Sequence, residues 1–148
     1  MKTHLAILLT TLALAASALA HGGIELGPNG GQLVEFGDHH TLHAEVALKG
    51  GQFLISLYDE AAKKEVAVTD QVLVVTHKEA NKKLVLELKG GKWTVAKPDG
   101  SDFWLILQLK DNAAAKAKNG RLHYDESICS KCKAQEWLCK CDAGEEKK

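Results

Sequence analysis

The only methionine in this 148-residue chain is Met1. Thioether sites for Cu(I) are therefore excluded, and any copper site must use nitrogen or thiolate ligands. Neither sign of charge is in excess: 19 Lys and Arg stand against 19 Asp and Glu. Proteins that bind nucleic acid or anionic membranes carry a basic surplus, so neither partner is expected. Aromatic residues make up 5% of the chain, too few for the broad substrate face of a copper oxygenase. The motifs G-x-S-x-G, H-E-x-x-H and G-x-G-x-x-G are absent, and no Ser/His/Asp arrangement suggests itself, which argues against an enzyme.

What is present begins with an export pattern. In MKTHLAILLTTLALAASALA, Lys2 precedes an uncharged apolar stretch, and Ala18-Leu19-Ala20 places small residues where a signal peptidase reads them. The stretch is shorter than the roughly 20 residues of a spanning helix. A cleaved signal over residues 1–20 is expected, with a periplasmic or secreted destination. No cysteine stands at the cleavage point to take a lipid, and no later run is long enough to insert in a membrane.

Residues 21–124 alternate short apolar runs with glycine turns, the pattern of an antiparallel sheet protein. Strands are expected over 31–36, 40–48, 52–58, 71–76, 83–88, 93–96, 103–109 and 121–124. Residues 103–109 (FWLILQL) are apolar on both faces, which predicts a central strand covered on both sides. Lys49-Gly50-Gly51 and Gly90-Gly91 read as tight turns, because glycine reaches positive φ without strain. The echo between residues 48–53 and 88–93 is this turn chemistry repeated. Asp111 could cap a short helix over 113–118 that Gly120 ends. The sum predicts a mainly β, immunoglobulin-like sandwich with one short helix, or alternatively a small barrel. Residues 125–148 form a separate Cys-rich tail with a charged end.

That tail holds all four cysteines, as Cys129-x-x-Cys132 and Cys139-x-Cys141. Close thiolate pairs suit a tetrahedral Zn²⁺ or Cu(I) site, although the spacer between these pairs is shorter than in most zinc ribbons. On a continuous helix, Cys129, Cys132 and Cys139 would share one side while Cys141 faced away. Four-sulfur ligation thus needs a break, around the first pair or after Cys139. An oxidising compartment would instead favour two disulfides, and free redox-active thiols are the third reading. A thioredoxin-like role is disfavoured, since no βαβ pattern surrounds the Cys-x-x-Cys. Trp137 and Leu138, between the pairs, would be either a lid over a metal or an anchor facing a partner.

Histidines supply the second candidate. Cleavage after Ala20 would expose His21, whose free amine and imidazole together chelate Cu²⁺. His39, His40 and His43 follow, with Glu45 two residues beyond His43 and so on the same strand face. Imidazoles and a carboxylate at one strand end would suit Zn²⁺ or Cu²⁺. Against this, His39 and His40 also read as plain turn residues, and His77 and His123 stand alone on the surface or partly buried.

From His21-Gly22-Gly23 through Gly27-Pro28-Asn29-Gly30-Gly31 and Gly37-Asp38-His39-His40 to His43-Ala44-Glu45-Val46, the chain resembles a group of small periplasmic proteins. Their mature chains open with a histidine-bearing segment, then Pro-x-Gly-Gly, Gly-Asp-x-His and His-x-Glu. The stretch is also similar to amino-terminal segments of heavy-metal efflux adaptor proteins. The resemblance covers about the first third of the mature chain and implies a β domain concerned with divalent metals, partnered by a metal-efflux or other envelope protein. The long histidine run, coiled hairpin and lipoyl-like segments of an adaptor are missing, and the cysteine tail is not part of the pattern. The expected function is an exported copper or zinc carrier or buffer. The alternative is a non-catalytic interaction module whose tail is stapled by disulfides.

Overall fold

A computed structural model describes residues 24–37 and 42–141. The expected signal, His21, His39 and His40 lie outside the described residues. The described chain forms β1 (Gln32–Glu35), β2 (Leu42–Lys49), β3 (Gln52–Asp59), β4 (Glu65–Val66) and β5 (Val72–His77). It continues with β6 (Lys82–Lys83), β7 (Glu87–Lys89), β8 (Lys92–Ala96), β9 (Asp102–Lys110) and β10 (Lys118–Asp125), then a 3-10 helix, Glu136–Leu138.

Two antiparallel sheets result, one ordered β1-β2-β3-β8-β7 with β4 beside β3, the other β10-β9-β5-β6. Setting β1 aside, β2-β3-β8-β7 and β10-β9-β5-β6 reproduce the A-B-E-D and G-F-C-C′ orders of an immunoglobulin-like sandwich. Among the described residues the sheets do not close into a barrel. Alternation drives the packing: Phe53, Ile55 and Leu57 face Leu105, Leu107 and Leu122 across the interior, each 1% exposed or less. The two glycine turns work as expected, with Gly50, Gly51, Gly90 and Gly91 all at φ between 57° and 78°, joining β2 to β3 and β7 to β8. Gly120 serves a different purpose. A Cβ there would stand 2.5 Å from Val34 Cγ1 and 2.8 Å from the Glu35 carbonyl oxygen, so glycine lets β10 close on the end of β1.

Three expectations are corrected. Residues 83–88 are not one strand: Lys82–Lys83 pairs in one sheet, Glu87–Lys89 in the other, and the chain crosses between sheets at residues 84–86. Leu84 and Leu86 pack on the core during the crossing while Val85 is 84% exposed, so alternation there reflects a passage over the sandwich edge. The helix over 113–118 is a turn. Asn112 Oδ1 accepts the N–H groups of Ala114 and Ala115 at 3.0 Å, and β10 has already begun at Lys118. Six residues are too few to sustain a helix against the β9–β10 ladder, whose register starts at Lys118 opposite Leu109. Finally, β9 is central but buried on one face only, because Trp104, Ile106 and Gln108 remain partly exposed.

The strand covered on both faces over most of its length is β2. Ala44 and Val46 point into the core, while His43, Glu45 and Ala47 on the other face are also buried. The cover is the segment before β1, which folds over Glu45.

Candidate metal centre

β10 delivers the tail to one end of the sandwich. Beyond Asp125 the chain makes a small loop: Ile128 bridges Gln135, Cys129 N–H donates to the Ala134 carbonyl at 2.8 Å, and Glu136 N–H donates to the Ser127 carbonyl at 2.8 Å. Within it, Lys133 N–H reaches back to the Cys129 carbonyl at 3.0 Å, with Lys133 held at φ 63°. This tight turn brings Cys129 and Cys132 together. It supplies the break at the first pair that four-sulfur ligation requires. The 3-10 helix follows and turns Cys139 and Cys141 toward the loop.

Trp137 fixes this assembly to the core. At 2% exposure it lies 5.1 Å from the Tyr124 ring and 6.2 Å from the Phe53 ring, and its Nε1–H donates to Gln135 Oε1 at 2.9 Å. It is neither the metal lid nor the partner-facing anchor anticipated from sequence. A large apolar ring next to an otherwise polar tail found the nearest dry surface, the end of the sandwich.

The four sulfurs converge. Their Sγ atoms all lie within 4.8 Å of one another, with Cys132 to Cys139 at 3.4 Å and Cys129 to Cys141 at 3.9 Å. All four are free thiols. Four sulfurs at 2.3 Å from a tetrahedral Zn²⁺ stand about 3.8 Å apart along each edge. The observed spacings bracket that edge, so the donor set fits such an ion with sub-ångström adjustment. Both of these contacts join one motif to the other, which is how two short motifs make one shell.

The thiols are electrostatically unequal. The Cys132 N–H, then the Cys139 thiol and the Lys131 N–H, draw the Cys129 pKa down to about 7. Cys139 is pushed up to about 12: the Cys141 N–H acts to lower it, but the Cys129 thiol, burial and the other two thiols outweigh that. Cys141 is also raised, the lowering influence of Cys139 being overcome by the Cys132 thiol, burial and the charge on Cys129. Cys129 therefore ionises before Cys139 and Cys141, and its charge opposes ionisation of Cys141. A bound cation would relieve that repulsion.

The histidine candidates are arranged otherwise. His43 Nδ1–H donates to the Asp59 carbonyl at 3.2 Å, and its Nε2 stands 3.7 Å from Glu35 Oε1. Glu45, 1% exposed, accepts from Asn29 N–H at 2.7 Å and Gly31 N–H at 3.0 Å, and its other oxygen accepts from Asn29 Nδ2 at 2.8 Å. Its carboxylate thus pins the loop of residues 27–31. Gly27 and Gly31 are required for this fit, since a Cβ would strike the Glu45 side chain and the Val46 carbonyl respectively. The Pro-x-Gly-Gly and His-x-Glu stretches noted in the sequence are here two halves of one structural lock. Among the described residues, the cysteine cluster is the one group of three or more His, Cys, Asp or Glu side chains arranged to hold an ion. His77 and His123 are partly buried beside carboxylates, His77 at 3.6 Å from Glu79 and His123 at 2.7 Å from Asp102, with His123 stacked on Trp104.

Sequence reasoning missed Asn29, Lys133 and the anchoring role of Trp137. Only Asn29 carried a signal, its place in a Pro-Asn-Gly-Gly turn. In comparisons with protein-family models, curated proteins and solved structures, nothing matches this chain.

Proposed function

We propose that the protein is an exported, non-catalytic metal carrier or buffer that holds one thiophilic ion, Zn²⁺ in the first place and Cu(I) in the second, in the Cys129/Cys132/Cys139/Cys141 cluster. The observation that carries this reading is the mutual approach of four sulfurs within 4.8 Å, at spacings that suit a tetrahedral thiolate shell. Two further features support it. The loop N–H groups favour one thiolate near neutral pH, and Trp137 holds the cluster on a rigid support. Export rests on the pattern of residues 1–20. The metal-efflux or other envelope partner rests on the resemblance of the amino-terminal stretch.

A nitrogen site for Cu²⁺ would draw on His21, His39, His40 or His43, of which only His43 lies among the described residues.

A second reading has its own support. Cys132 with Cys139, at 3.4 Å, and Cys129 with Cys141, at 3.9 Å, lie within reach of pairing, and on oxidation they would close two nested disulfides that staple the tail of an interaction module. Native mass spectrometry of the protein purified from its own compartment separates the readings. One bound metal with four thiols recovered on denaturation supports the carrier. A metal-free mass lighter by four hydrogens refutes it in favour of the staple.

A further inference from the structure

We infer that Cys132 is the ligand through which the bound metal leaves, passing to an acceptor that presents a pair of thiols. The inference rests on the proposed metal-binding role and deepens it.

The four ligands differ in access. Cys129 and Cys139 are each 6% exposed, Cys141 is half-buried, and Cys132 is exposed. They also differ in how the fold holds their sulfurs. Cys129 Sγ is cradled by the N–H groups of Cys132 and Lys131, and Cys139 Sγ accepts the Cys141 N–H at 3.4 Å. Cys132 sits at the tip of the loop, so an incoming sulfur can approach the metal from its side without moving Trp137 or any strand.

The rim suits an anionic visitor. Zn²⁺ with four thiolates carries a formal charge of −2, which would repel an entering thiolate. Lys131, Lys133 and Lys140 are all exposed around the cluster, against one half-buried Glu136 between the cysteine pairs. Together these side chains bring the surface close to neutral. Ile128, 60% exposed in the same loop, adds an apolar contact beside the opening.

Exchange then proceeds without redox change. The acceptor thiol loses its proton and its sulfur bonds to the metal. The bond from the metal to Cys132 Sγ breaks, and Cys132 takes up a proton. One monothiol would replace one ligand and stop there. A second acceptor sulfur, held close to the first, makes replacement of the remaining ligands intramolecular and completes the transfer.

The test uses the whole mature protein loaded with Zn²⁺, with one ion confirmed by native mass spectrometry. A brief pulse of isotope-coded N-ethylmaleimide, followed by peptide mapping, should place the adduct on Cys132 about tenfold sooner than on the other three, as accessibility and thiolate exchange dictate. First labelling at Cys141, or simultaneous labelling of all four, would overturn the inference. Zinc transfer to a synthetic Cys-x-x-Cys peptide should then rise in proportion to peptide concentration. The double substitution Lys131→Glu with Lys133→Glu should slow it about tenfold at low salt, an effect that high salt screens away. A transfer rate independent of peptide concentration would also overturn it. Failure to load any metal is a separate result, and it sinks the proposed function instead.

Discussion

Lowering the pH through neutrality should weaken metal binding in a way that identifies Cys129. A thiolate ligand must lose its proton before it binds, so each group still protonated adds one power of ten per pH unit to the fall in apparent affinity. Cys129 ionises at about 7, because the loop N–H groups and the Cys139 thiol stabilise its thiolate. Above 7 it is already charged and adds nothing to the slope. Below 7 it adds one full proton. At pH 6 the Cys129 proton alone should therefore cost about tenfold in Zn²⁺ affinity, and at pH 5 about a hundredfold. The assay is competition with a chromophoric zinc chelator from pH 8 to 5, corrected for the chelator's own protonation. The slope of log affinity against pH should steepen by one near pH 7, and Cys129→Ser should lack that break while binding more weakly throughout. A wild-type slope that stays constant across pH 7 would refute the assignment. For the metal-free fold the same shift has a defined sign. A thiol whose pKa falls from 9 to about 7 on folding contributes stability that is complete above 9 and is lost as pH drops through 7.

Other predictions concern the supports of the site. Trp137→Ala should destabilise the fold by about 3–5 kcal/mol, the usual cost of emptying a buried indole, and should lower metal affinity together with the midpoint of urea unfolding. Unfolding unchanged within error would show that the tail is not docked. Glu45→Ala should cost about 3 kcal/mol by stranding the Asn29 and Gly31 N–H groups, with metal stoichiometry at the cysteines unaltered. A lost metal equivalent at the cluster would contradict that separation. Lys133→Gly should stabilise the metal-free protein by about 1 kcal/mol, since φ 63° strains any residue with a Cβ; calorimetry showing a loss would count against the turn as described.

The sandwich was legible because its signals are local. The alternation of residues 42–48, the short apolar runs at 52–58 and 103–109, and the paired glycines at 50–51 and 90–91 each specify a strand or turn with little help from elsewhere. What was not legible depended on partners distant in sequence. The alternating residues 83–88 carry a strand pattern, yet the two sheets they must serve pull their ends apart. Asp111 offered a helix cap, but Lys118 Nζ bonds it at 2.9 and 3.0 Å across the β9–β10 connection, a pairing that no local propensity reveals. The cysteine cluster was visible as ligand types and spacing. Its geometry was not, because it depends on a left-handed lysine and on a tryptophan that reaches back to Phe53, more than eighty positions earlier in the chain.

The placement of Glu45 bears on how histidines and cysteines share the molecule. A strand carrying His-x-Glu invites a metal reading, since both side chains project from one face. Here the carboxylate is buried and already accepts three hydrogen bonds, so recruiting it to an ion would release the loop of residues 27–31 and expose the outer face of β2. Each buried N–H left without an acceptor costs about 1–3 kcal/mol, which a surface metal site would have to recover before any net binding appeared. The cysteine tail carries no such penalty, because its thiols are free and hold no element of the sandwich in place. On the proposed function, metal would therefore come and go at the tail while the domain stays folded. Chelation of a zinc-loaded sample should accordingly leave the far-ultraviolet circular dichroism of the sheets unchanged and alter only the fluorescence of Trp137. A loss of sheet signal on chelation would show instead that the cluster is a structural site.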